Sequence, residues 1–244
     1  MRFSGTSRLW HACLLAGAAL ILGSGVEEAS AKKWCKDECE VELEEAKIYF
    51  EYNASANDLG VHVLLDGEDW KKIKIENPCG KTIFKVEGKQ GYAELGMTEL
   101  FFEGAEPNLE DFPLDDLLDL FPEGDYEFEG KTVDGCEVEG SAYLSHAIPE
   151  GPDVSASLNG NELIIEWTTV DDHPDGFPDR EIDIVAYQVI VEPSFQVTLP
   201  GTATKVTVSP EFVASLPTGE NKYEVLAIDA SGNQTITEGT FEKP

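Results

Sequence analysis

A mostly β chain of two antiparallel β-sandwich domains in tandem, with one short helix in the first, is the fold class this sequence predicts. Three observations predict it. Short apolar stretches recur along the chain and are broken by Gly, Asp and Pro, the pattern of strands and turns. The stretch Ile148-Pro149-Glu150-Gly151-Pro152 reads as a linker between two halves. Every cysteine beyond residue 31 lies before that linker, so the halves differ in character.

Residues 1–31 read as an export signal. Arg2 and Arg8 give a positive start, residues 14–22 are apolar and uncharged, and Ala29-Ser30-Ala31 offers small residues for cleavage. That order is the pattern of a secretory signal peptide. A retained anchor is the rival reading, but a spanning helix needs about 20 apolar residues. The uncharged stretch 9–26 is short of that and contains Gly17, Gly23 and Gly25. The expectation is a protein that is secreted, periplasmic or at the cell surface, with no transmembrane anchor after signal cleavage.

Removing the signal leaves about 210 residues, enough for two domains of ordinary size. The formal net charge is −31, and Arg180 is the sole arginine beyond the signal. Nucleic-acid binding requires clustered Lys and Arg, so that class is excluded. The acidic balance fits a solvated surface, a bound cation or a basic partner.

Four cysteines follow the signal: Cys35, Cys39, Cys79 and Cys136. An even number in an exported chain suggests two disulfides, with three possible pairings. Cys79 and Cys136 both sit at turn signals, Asn77-Pro78-Cys79-Gly80 and Asp134-Gly135-Cys136. Their meeting at one end of a sandwich, with Cys35–Cys39 as a local bridge, is the preferred pairing. A zinc site is the rival, but Cys35-x3-Cys39 lacks a second closely spaced pair.

The first domain spans residues 32–149. The acidic stretch 34–45 reads as a short helix or an arm. Ile48, Phe50 and Tyr52 then alternate with Lys47, Tyr49 and Glu51, as in a half-buried strand. Residues 61–65 form an apolar run closed by a turn at Asp66-Gly67, and Ile73 and Ile75 begin a further strand. Strands are also expected over 83–86, 100–102, 126–130 and 138–144. Between them Leu114, Leu117, Leu118 and Phe121 fall at helical spacing behind Pro113, and Pro122 and Gly124 stop the helix. Residues 103–129 contain many carboxylates, Glu103 and Glu106 among them, and no Lys or Arg. They do not follow the ligand spacing of an EF-hand.

The second domain spans residues 150–244. Leu163, Ile165 and Trp167 alternate along one strand, and strands are expected over 184–192, 204–208, 222–229 and 233–241. No helix is expected here. Pro152, Trp167 on the second strand, Tyr187 on the third, and Leu216-Pro217-Thr218-Gly219 before Tyr223 together resemble a fibronectin type III domain. The resemblance implies a Greek-key sandwich with Trp167, Tyr187 and Tyr223 in the core and Tyr223 as the tyrosine-corner residue. Two departures stand out: the approach to Tyr223 is long, and so is the connection over residues 170–182. That connection carries Asp171, Asp172, Asp175 and Asp179 around Gly176, a candidate calcium site alongside the reading of a solvated loop.

No catalytic constellation is legible. His62, His146 and His173 fall in a strand, before the linker and in the acidic loop, and no Gly-x-Ser-x-Gly or His-Glu-x-x-His occurs. The expected function is an exported, non-enzymatic binding, adhesion or scaffolding protein with a protein or glycan partner. An accessory carbohydrate-binding protein is the first alternative, with Trp34, Trp70 and Tyr92 as platform candidates. A small secreted hydrolase using carboxylates is the second.

Overall fold

The computed structural model describes residues 39–244, so the export signal, Cys35 and Trp34 lie outside the described residues. The described residues begin with β1 (Glu40–Glu42), a strand where a helix or arm is expected from sequence, followed by β2 (Glu45–Asn53), a strand as expected. The acidic side chains of β1 do not oppose this, because a strand can place them outward. Along β2 the alternation holds: Ile48, Phe50 and Tyr52 are buried, while Tyr49 and Glu51 face the other way.

The next strand, β3 (Asp58–Glu76), absorbs the turn expected at Asp66-Gly67. Its first half pairs with β2 and its second half, beyond a bend, pairs with other strands. The register shifts on both sides of Trp70, so a pair of bulges bends one strand across the corner of the sandwich. A Cβ on Gly67 would meet a Leu43 methyl at 3.0 Å, which explains glycine at the bend. Trp70 fills the corner and is fully buried.

Four further strands complete the first module: β4 (Thr82–Glu87), β5 (Met97–Glu103), β6 (Gly124–Thr132) and β7 (Glu137–Leu144). A short helix α1 (Gly91–Leu95) precedes β5, and α2 (Leu114–Leu120) precedes β6. Helix α2 buries Leu117 and Leu118 and exposes Asp115, Asp116 and Asp119, as its spacing predicts. The first half of β3 lies between β2 and β5, and the second half between β4 and β6, with β7 beyond β6.

The second module repeats this layout with β8 (Val154–Asn159), β9 (Glu162–Trp167), β10 (Ile184–Val191), β11 (Phe195–Pro200), β12 (Lys205–Val208), β13 (Gly219–Asp229) and β14 (Gln234–Lys243). Strands β8, β9 and β12 form one sheet, and β11, β10, β13 and β14 run through the other. These two sheets make the antiparallel sandwich expected of this half of the chain. Trp167, Tyr187 and Tyr223 are all buried in its core.

A helix does occur in this module. α3 (Pro210–Ser215) is capped by Ser209, whose hydroxyl accepts from the Phe212 amide, with Pro210 in its first turn. It stands where α2 stands in the first module, just before the corner that leads into the long central strand. The corner bond is also repeated. In the first module the Tyr126 hydroxyl donates to the Pro122 carbonyl at 3.0 Å. In the second, Asn221 occupies that place and donates from Nδ2 to the Pro217 carbonyl at 3.2 Å. Tyr223 is therefore not the corner residue. It sits two residues further on, where its ring covers Gly239 directly across the ladder.

The two modules share one sheet. β14 pairs in parallel with β2, Gln234 opposite Glu51, and this joins the chain into an 11-stranded sheet among the described residues. The linker is held rather than free: Ile148, Pro149 and Pro152 are buried, and Pro149 accepts a hydrogen bond from the Thr235 hydroxyl. Asn233 is fully buried at the seam. Its Oδ1 accepts from the Phe50 amide at 2.8 Å, and its Nδ2 donates to the Ser145 and Ala147 carbonyls.

The cysteine pairing differs from the expected one. Cys39 is bonded to Cys136, because β1 lies in parallel beside β7 and brings the two residues level. Cys79 is exposed and has no partner among the described residues. It follows Glu76, which pairs with Glu127 near the start of β6, whereas Cys136 follows the far end of that strand. Five residues of strand, roughly 17 Å, separate those ends, well beyond the reach of a disulfide.

Candidate functional site

The outer face of β2, β3 and β5 carries an unusual group. Alternation puts Tyr49 and Glu51 of β2 on this face, and the hairpin register sets His62 opposite Tyr49 and Gly60 opposite Glu51. Glu103 of β5 stands on the other side of His62. A strand histidine facing outward would ordinarily be wet. His62 is instead only 4% exposed, flanked by Tyr49 at 5.2 Å and Phe101 at 5.9 Å between ring centres.

Two carboxylates reach the imidazole. His62 Nε2 lies 3.3 Å from Glu106 Oε1 and 3.7 Å from Glu51 Oε1. The loop bearing Glu106 is fixed along β3 by the Gly104 amide on the Val61 carbonyl and the Leu59 amide on the Pro107 carbonyl. Gly60 makes the approach possible, since a Cβ there would meet Glu106 Cγ at 2.5 Å. The other oxygen of Glu51 accepts from Gln234 Nε2, a side chain of the second module.

Burial pushes the Glu51 carboxyl above its usual range; His62 and Gln234 oppose that, while Glu106 and Glu103 add to it. Burial, then the Glu51 and Glu103 charges, push the Tyr49 phenol up to about 12. Among the described residues, no Lys or Arg pairs with Glu51 or Glu106. The group is thus a concentration of negative charge around one imidazole at the seam between modules. Beside it lies an open groove of about 470 Å³ lined by Tyr49, Leu64, Tyr143, Gly232 and Gln234.

The aspartates singled out in sequence lie elsewhere. Asp171, Asp172, Asp175 and Asp179 are exposed, and no three of them bring oxygens within 4.8 Å of one another. Their loop is a strap across the module boundary. Phe177 packs on the first core at 4.9 Å from Tyr52, and Arg180 donates to Glu123 Oε2 at 2.9 Å. His173 sits inside the strap with Nδ1 near the Pro174 carbonyl, and His146 lies with Nε2 2.9 Å from the Phe121 carbonyl. Trp70 is core and is removed from any aromatic platform, whereas Tyr92 is exposed on α1.

Sequence reasoning placed Glu51 and His62 on strands and Glu106 in the carboxylate-rich stretch but did not join them. The signal that joins them is the hairpin register between β2 and β3, which requires knowing where the turn over residues 54–57 begins.

No family model and no curated protein matches the chain. Among solved structures it is similar to fibronectin(III)-like modules of Clostridium thermocellum, at 13% identity over 83% of this chain and 94% of that one, TM-score 0.30. It is similar to a bacterial ice-binding adhesin at 10% identity over 82% of this chain and 64% of that one, TM-score 0.25. A spore cortex lytic enzyme of Clostridium perfringens is 26% identical over 39% of this chain, TM-score 0.32. The chain spans 28% of that enzyme. Similarity at these TM-scores says nothing of activity, and the sandwich character rests on the strand order itself.

Proposed function

We propose that the protein is an exported, non-enzymatic binding or scaffolding element of the cell envelope or extracellular space, one that holds two sandwich modules at a fixed mutual setting. The observation that carries this reading is the shared sheet. Independent modules on a string are joined by exposed, flexible linkers. Here the linker is buried, β14 pairs with β2, and Asn233 bonds the first module's main chain three times. The Cys39–Cys136 bond fits an oxidising compartment. The carboxylate–histidine group lies on an open sheet face. A protein or glycan partner would meet the acidic outer faces, where Tyr92 remains a candidate contact.

Full-length protein coupled to beads tests the reading against intact cells of the producing organism and against immobilised glycans. Saturable binding that weakens several-fold in Asn233→Ala, with ligand recovered chemically unchanged, is expected. Recovery of cleaved ligand would overturn the non-enzymatic part. Equal binding by a variant whose modules are shown to be uncoupled would overturn the fixed setting.

A further inference from the structure

We propose that Glu51, His62 and Glu106 form a binding site for a divalent transition-metal ion, with Zn²⁺ the best fit. The three ligand atoms lie within 4.8 Å of one another, one from each side chain. Zinc takes imidazole nitrogen and carboxylate oxygen at about 2.0–2.2 Å, and a tetrahedral site then has ligand–ligand edges of about 3.4 Å. The separations from His62 Nε2, 3.3 Å to Glu106 and 3.7 Å to Glu51, bracket that edge. The two carboxylates lie within 4.8 Å of each other, so an ion can enter as Glu51 and Glu106 close around it.

The donor set selects the class of ion. Calcium and magnesium prefer oxygen alone, whereas one imidazole with two carboxylates suits zinc and its neighbours. Electrostatics favour occupancy. Glu51 is mostly buried beside Glu106, no Lys or Arg pairs with either among the described residues, and a divalent ion would neutralise both. The surroundings are also those of a ligand shell. Gln234 holds the second oxygen of Glu51 and so orients the first, as outer-shell partners do. Gly60 vacates the space that Glu106 crosses. Three protein ligands leave a fourth position for water or a partner's donor atom.

The ion would sit on the seam. Glu51 is directly opposite Gln234 in the β2–β14 ladder, so binding would tighten the junction and raise the stability of the pair. This proposal stands apart from the scaffolding reading, because a metal can bind whether or not the modules carry an adhesive partner.

Calorimetric titration of the full chain with ZnCl₂ after chelator treatment tests the site, with Ca²⁺ and Mg²⁺ as comparison ions. One strong Zn²⁺ equivalent is expected, with a rise in Tm, and with tetrahedral-intensity visible absorption when Co²⁺ replaces zinc. Glu106→Gln alters a partly exposed side chain and should fold; it should weaken Zn²⁺ at least tenfold. Gly60→Ala should weaken it by displacing Glu106, and His173→Gln should leave it unchanged. An unmoved Tm at hundred-fold excess Zn²⁺ would overturn the site. So would weak multi-site binding that Glu106→Gln does not alter, the behaviour of an acidic surface gathering ions.

Discussion

The two modules solve one problem in two ways. In each, the last strand would present a free edge, and an exposed edge invites pairing with other chains. In the first module β1 covers the edge of β7 in parallel, and in the second β2 covers the edge of β14 in parallel. The residue just before each last strand makes the fastening. In the first it is Cys136, bonded covalently to Cys39. In the second it is Asn233, hydrogen-bonded to Phe50, which is level with it on β2. Both follow a turn with a glycine at positive φ, Gly135 and Gly232. One position in a repeated fold thus serves as a covalent clamp inside a module and as a polar clamp between modules. The covalent clamp does not depend on its surroundings staying dry. The polar one does, because its strength comes from burial.

Breaking the covalent clamp should have the largest effect. The bond spans 97 residues of sequence, and closing a loop of that size stabilises by about 4–5 kcal/mol in the chain-entropy model. The double variant Cys39→Ala with Cys136→Ala should lose most of that in urea denaturation. A loss below about 1 kcal/mol would show that strand pairing alone holds β1, and the disulfide would then not be the fastening device.

Breaking the polar clamp should cost less but change the character of unfolding. Asn233→Ala leaves the buried Phe50 amide without its acceptor and removes a donor from two carbonyls, a loss of about 2–3 kcal/mol. Calorimetry should show the single transition of the parent separating into two, as the modules cease to unfold together. A single transition at the parent midpoint would mean that the β2–β14 ladder couples the modules without Asn233.

The sequence carried the local half of this comparison and missed the joint. Alternation located β2, β9 and β13, and helical spacing located α2, because those elements bury one face against their own module. α3 was not expected, because its six residues carry too few apolar positions for a helical periodicity to register. Asp66-Gly67 reads as a turn because nothing local says that β3 continues past it through a bend. Trp70 is what fixes the bend, and only tertiary packing reveals that. The long approach to Tyr223 was visible, but its consequence was not: Asn221, four residues after Pro217 as Tyr126 is after Pro122, takes the corner bond. The Glu51–His62–Glu106 group needed the β2–β3 register, and the Asn233 clamp needed contacts across about 180 residues of chain, which no local pattern encodes.

The strap over residues 170–182 sharpens the comparison further, since it has no counterpart in the first module, where β3 runs through the same connection unbroken. Its ionic anchor should give the smallest effect, one visible only against pH. The Arg180 guanidinium, helped by the His146 amide and against some burial, holds the Glu123 carboxyl below the usual carboxylate range. A depressed folded value means that the contribution is fully present above the unfolded value of about 4.3 and is lost as pH falls through the folded one. Arg180 is exposed, and exposed pairs contribute little. Arg180→Gln should therefore melt almost as the parent does at pH 7. Between about pH 5 and 3 the parent should lose slightly more stability than the variant, which has no such bond left to lose. Limited proteolysis of the strap should show the same convergence, with the parent protected at neutral pH and equally cleaved in acid. Parallel melting curves across that range would show that Phe177 packing, rather than the ion pair, seats the strap.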